Sequence, residues 1–189
     1  MKTLIISLKL LFFMTILTGI VYPIFVFIIA RTVFPQKSEG SFIEVNGKII
    51  GSSLIAQKFE SRKYFQSRPS AVNYQPMPSG GSNLGPTSRT LRNKTDSIRQ
   101  AYINFNGLNK NSIVPMDAIF ASASGIDPHI SVENAMLQIS RITKERDFDL
   151  IKQKQVIEII EKNIERPQFG LLGEERINVL ILNSELDKL

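Results

Sequence analysis

Leu10 to Ala30 is a run of 21 residues without a charged side chain. As a helix rising 1.5 Å per residue it is roughly 30 Å long, the thickness of a bilayer's hydrocarbon core. A cleaved secretory signal would have a shorter apolar stretch, about 7–15 residues, and a small-x-small site after it. Ala30-Arg31-Thr32-Val33-Phe34-Pro35 offers no such site. The run therefore predicts a retained transmembrane anchor within residues 1–35, spanning about 10–30, and a separate domain over 36–189. Pro23 lies in mid-span, where its missing N–H predicts a kink or a local repair. Thr15, Thr18 and Gly19 give one face of the helix small side chains, suited to packing on another membrane helix or to facing lipid. Lys2, Lys9 and the terminal amine precede the span, and Arg31 and Lys37 follow it. That slight bias favours the N-terminus inside and the domain outside.

The composition of the chain excludes several chemistries. There are no cysteines and one histidine, His129, so disulfides, thiol nucleophiles, Cys-ligated metals and multi-His metal sites are ruled out. The formal charge of +6 gives no case for nucleic acid, because half of it flanks the anchor. The remainder is divided: residues 36–114 carry 11 basic and 4 acidic side chains, and residues 115–189 carry 9 and 13. Such a dipole suits docking on a partner of complementary charge, and uneven solvation explains it equally well.

The pattern of the second part predicts an α+β (α/β) domain with a mixed sheet and packed helices. Asn46-Gly47 between Phe42–Val45 and Lys48–Gly51 is a hairpin signal, and Leu54–Phe59 could extend the second strand. Residues 66–88 lose periodicity and collect prolines and glycines, which predicts a long loop. Thr87 is the expected cap of a helix whose face is Leu91, Thr95, Ile98, Tyr102 and Phe105, ended by Asn106-Gly107. Ala118–Ala121 reads as a short buried strand. Ser131 or Asp127 would cap a helix to about Arg146 with core face Ala135, Ile139 and Ile142. Asp149 would cap the next, with Ile151, Val156, Ile159, Ile160 and Ile164 inward and Pro167 and Gly170 stopping it. Arg176–Leu182 reads as a central strand, followed by a short helix at Ser184–Lys188.

Two stretches carry candidate chemistry. Ser79, Gly80, Gly81, Ser82 and Asn83 open a glycine-rich loop before a helix, where backbone N–H groups could cradle an anion. The loop ends Gly85-Pro86-Thr87 without the lysine of a nucleotide-binding P-loop, so a structural turn or a grip on a protein partner is the stronger reading. Ser122, Ser124, Asp127 and His129 place the residue types of a hydrolytic triad together. Turn and capping roles around Pro128 account for them more simply. Glu174-Glu175 reads as a solvated loop.

Read together, these stretches resemble the C subunit family of the bacterial Kdp potassium-transporting ATPase. The similarity is carried by the N-terminal membrane helix, Gly51–Gln57, Tyr64–Ala71, Ser79–Thr87, Ala121–Ser131, Gln138–Arg141 and Gly173–Asn183, in that order. Ala56, Phe120 and Glu175 depart from the family's usual Gly, Thr and Pro. The resemblance implies a non-catalytic accessory subunit of a P-type ATPase complex, held by one helix in the cell (inner) membrane. A channel-like subunit would carry potassium, and a pump subunit would hydrolyse ATP. This chain would stabilise their assembly, and as a catalytic chaperone it would raise the pump subunit's ATP affinity. No tightly bound cofactor is implied, with ATP reachable through the pump subunit; were the domain to face inside, the Ser79–Thr87 loop would be a credible contact to nucleotide. An exported domain could influence cytoplasmic ATP only by way of the membrane subunits. The alternative is a membrane-anchored hydrolase using Ser122 or Ser124 with Asp127 and His129.

Overall fold

The computed structural model describes residues 1–189 as two units, Met1–Phe42 and Ile43–Leu189. In the first, α1 (Lys2–Val33) is a single apolar helix, long enough to cross a membrane and with no side chain buried within the protein. Leu17–Val21 forms a π-helical turn just before Pro23. Pro23 cannot donate to Gly19, and its ring crowds that carbonyl; the wider turn absorbs the misfit without ending the helix. Ile16 and Tyr22, on either side, keep helical backbone angles. The Thr15 and Thr18 hydroxyls donate to the Leu11 and Met14 carbonyls at 2.8 and 2.7 Å, so neither is left unpaired on an apolar surface. A short turn of helix, α2 (Pro35–Ser38), follows.

The hairpin β1 (Phe42–Val45) and β2 (Lys48–Ser52) starts at the boundary and opens the second unit. Asn46 and Gly47 have φ of 52° and 73°, the turn that their sequence predicts. Leu54–Phe59 does not extend β2. The chain turns after Ser52 and runs without regular structure to Ser88, so the loop is longer than expected. α3 (Arg89–Asn106) is capped by Ser88, whose hydroxyl accepts from the Leu91 N–H, and not by Thr87. Gly107 closes it in the left-handed conformation.

Ala118–Ala121 is not a strand. Met116–Ala118 forms a 3₁₀ turn that buries Ala118 and Ile119 against Tyr102, Ile103 and Val114, a small second core. β3 (His129–Ile130) leads into α4 (Val132–Glu145), capped by Ser131, while Asp127 turns its carboxylate to the His129 N–H. Asp117 braces the cap by accepting from Ser131 N, Ser131 Oγ and Asn134 Nδ2 at 2.8–2.9 Å.

α5 (Leu150–Lys162) is capped by Asp149 as expected. It buries Val156 and Ile160, but Ile151 in its first turn is 69% exposed. The helix stops at Lys162 rather than at Pro167, because Ile164 and Glu165 form β4 and pair with β5 (Arg176–Asn178). β5 also pairs with β3, giving the order β3-β5-β4. Both pairings are antiparallel, where a mixed sheet was expected. The run from Arg176 to Leu182 is strand for only three residues. Asn178 then accepts from Leu180 and Ile181 N–H and starts α6 (Val179–Leu186). Val179, Leu182 and Leu186 recur at helical spacing and are buried, a period hidden inside an apolar run too short to be unambiguous. With Phe65, Ile130, Ala135, Ile139, Ile142, Val156, Ile160 and Ile177 they form the main core of this α+β unit.

Candidate functional site

The long loop before α3 has few apolar residues to bury, so polar side chains must hold it. Phe65 is the exception: its ring is in the main core and its backbone is gripped at both ends. Asn183 on α6 accepts from Phe65 N–H at 2.8 Å and donates to Phe65 C=O at 2.9 Å. Gln138 on α4 does the same for Gln66, at 2.8 and 3.3 Å. Two side-chain amides thus replace the strand that this backbone lacks.

Arg141, one helical turn beyond Gln138, is 2% exposed. It donates to Asn106 Oδ1 and Gln138 Oε1 at 2.9 Å, to Tyr64 C=O at 3.0 Å and to Arg62 C=O, and it stacks 4.8 Å from the Phe105 ring centre. Burial, followed by the neighbouring Arg62 charge, brings its pKa down to about 10. It stays cationic at neutral pH without a carboxylate partner, held by oxygens and the ring face.

At the other end of the loop, Arg68 meets Asp127 at 3.1 Å. Asp127 Oδ1 lies 3.2 Å from His129 Nδ1, His129 Nε2 lies 3.5 Å from Glu165, and Glu165 pairs with Arg176 at 3.0 Å. This alternating chain ties the loop to β3, β4 and β5. Burial alone would raise the Asp127 carboxyl. Hydrogen bonds from the His129 ring and backbone N–H, with the Arg68 charge, outweigh it and hold the group below the usual carboxylate range.

Both candidate stretches lie here, against each other. Gly80 N–H donates to Ser124 C=O at 2.9 Å, Gly81 packs on the Ala123 backbone, and the Ser70 hydroxyl donates to Gly125 C=O at 2.6 Å. Gly125 has φ of 72°, and a Cβ there would come within 2.6 Å of Val72 Cγ2 and 2.8 Å of Gly80 O. Gly81 therefore serves close packing of one loop on another, whereas a Cβ at Gly80 would meet open space; Ser79, Ser82 and Asn83 are exposed.

A hydrolytic triad is not assembled. Asp127 does orient His129, but the imidazole's outer nitrogen faces Glu165 and not a serine. The Ser122 and Ser124 hydroxyls accept from Asp127 and Ile126 N–H. Ser122 is buried, and the turn that Pro128 imposes uses both serines as local caps. What sequence reasoning missed is the polar stripe Asn134, Gln138 and Arg141, running at helical spacing beside the apolar stripe Ala135, Ile139 and Ile142. That pairing of stripes was the available signal. Asn183 and Glu165 gave none, since their partners are far away in sequence.

Arg141, Gln138 and Asn183 are spent on holding this chain's own loop, and His129 on Asp127 and Glu165. With α1 the fold gives a class: an α+β domain preceded by one N-terminal helix of membrane-spanning length and composition. Comparison with known proteins places it further. The model of the KdpC family, described as K+-transporting ATPase, c chain, matches residues 4–188. A protein of Geotalea uraniireducens called potassium-transporting ATPase KdpC subunit is 46% identical over 93% of this chain and 92% of its own. Proteins of the same name from Leptospira interrogans and Bradyrhizobium diazoefficiens are 41% and 40% identical, each over 96% of this chain and 92% and 94% of their own. The chain belongs to the KdpC family.

Proposed function

We propose that this chain is a non-catalytic accessory subunit of an ATP-driven potassium uptake complex. It stabilises the assembly of a channel-like potassium-translocating subunit with a P-type subunit that hydrolyses ATP. The observation that carries this reading is the full-length family match, joined to a domain in which the buried polar side chains Asn183, Gln138 and Arg141 hold its own loop. α1 anchors the chain in the membrane, with the N-terminus inside and the domain outside, in keeping with Lys2 and Lys9 before the span. Any effect on the pump subunit's ATP affinity then passes through the membrane subunits. The Ser79–Asn83 segment is a partner contact in this reading. The Gly80 N–H is already bound to Ser124 C=O, and the segment has no lysine for a phosphate.

The test is co-purification together with topology. The tagged full chain should bring down the two other subunits from membranes in fixed proportion. The variant Ser38→Cys, in a chain otherwise free of cysteine, should react with an impermeant thiol reagent on intact spheroplasts. Recovery of the chain alone would defeat the assembly role. Labelling only after lysis would reverse the orientation.

A further inference from the structure

Between β4 and β5 the chain projects a tight hairpin tip. Gln168 and Leu172 bridge, exchanging hydrogen bonds of 2.9 and 3.0 Å around Phe169 and Gly170, whose φ values are 55° and 72°. Phe169 takes a left-handed conformation that glycine or asparagine would adopt with less crowding. It is 92% exposed, Leu171 is 86% exposed, and Leu172 also faces solvent. A hydrogen-bonded turn thus holds three large apolar side chains in water.

Gly173 joins this tip to Glu174 and Glu175, which line a cleft of about 1000 Å³. Ile113, 91% exposed, Met116 and Phe120 supply its apolar part. Glu133, Glu174 and Glu175 are exposed carboxylates without an ion-pair partner, whereas the other charged side chains of the cleft are engaged. Arg68 is bound to Asp127, Arg176 to Glu165, and Asp117 to Ser131 and Asn134. Apolar groups beside free negative charge fit a surface with large apolar side chains next to lysine or arginine. They fit an anionic lipid surface poorly, because the carboxylates at the base of the tip would be repelled.

We infer that the Phe169–Leu172 tip and the Glu133/Glu174/Glu175 cleft together form a docking surface for another subunit of the complex, at a segment combining basic with large apolar side chains. The inference rests on the proposed membership of that assembly. The apolar tip supplies buried area, and the three carboxylates supply register and steering.

The test uses the full chain co-expressed with the channel-like and pump subunits and extracted in mild detergent. One variant carries Phe169→p-benzoylphenylalanine for photocrosslinking. A second carries Glu133→Lys, Glu174→Lys and Glu175→Lys; a control carries Arg89→Glu and Arg92→Glu on α3. The crosslink should fall on another subunit, in a segment bearing Lys or Arg beside large apolar residues. The triple reversal should lower retention in the assembly by about tenfold, with its melting temperature unchanged and the control retained. A crosslink to lipid, to a second copy of this chain or to nothing, with the assembly intact, overturns the inference. Retention of the triple variant at the wild-type level overturns it as well. If the wild-type chain itself is not recovered with the other subunits, the membership reading fails and takes the inference with it.

Discussion

Replacing Asn183 with alanine removes both hydrogen bonds that its amide makes to Phe65 and leaves a buried N–H and a buried C=O without partners. An unsatisfied buried backbone group costs about 1–3 kcal/mol. Two such groups set an upper range of about 2–6 kcal/mol, and a water entering the vacated space would recover part of it. About 3 kcal/mol is the central expectation, and for a domain of this size each kcal/mol moves Tm by about 2–4 °C. Thermal unfolding of the full chain in detergent, followed by circular dichroism, should therefore show a loss of about 6–12 °C. Asn183→Asp should be no better: its carboxylate can accept from Phe65 N–H but faces Phe65 C=O with a second acceptor. Amide exchange at Phe65 and Gln66 should accelerate in both variants, since the loop loses one of its two grips. A Tm within about 1 °C of wild type, with unchanged exchange at Phe65, would refute the idea that side-chain amides hold this segment in place of a strand.

Two further outcomes follow from the loop's other contacts. Asp127 titrates below its unfolded value of about 3.9 despite burial, so its contribution to stability is complete above that pH and is lost as pH falls through the folded value. Unfolding free energy measured from about pH 6 down to 2 should drop in wild type, and the Asp127→Asn variant should show a shallower drop; identical slopes would contradict the assignment. Gly125→Ala puts a Cβ into Val72 and the Gly80 carbonyl at a backbone angle that alanine resists. It should cost about 1–3 kcal/mol and hasten proteolytic cleavage within residues 70–81, whereas wild-type cleavage rates there would show that the two loops do not depend on each other.

The legible parts of the fold were those whose signals are local. The uncharged run gave the long helix, Asn46-Gly47 the hairpin turn, and Ser131 and Asp149 their caps, because each depends on residues within one turn of chain. The errors arose where short apolar runs fit two periods. Ala118–Ala121 and Val179–Leu182 are as apolar as strands, but the first is the end of a 3₁₀ turn and the bend after it, and the Asn178 cap makes the second helical. β4 was invisible because a strand of only two residues leaves no period at all. At the site, Asp127 and His129 were legible as a pair. Their true company, Arg68 and Glu165, comes from the long loop and from β4, and only the folded sheet brings them together. Ser122 and Ser124 drew attention by composition, yet their hydroxyls are committed to backbone N–H groups two and five residues away.

In the proposed function the chain assembles a pump without performing its chemistry. Potassium-stimulated ATP hydrolysis, measured on membranes expressing the other subunits with and without this chain and on the purified chain alone, tests it most directly. Activity is expected only when the chain is present with its partners, and none from the chain by itself. Full potassium-stimulated hydrolysis without the chain, or ATP hydrolysis by the purified chain, would contradict it.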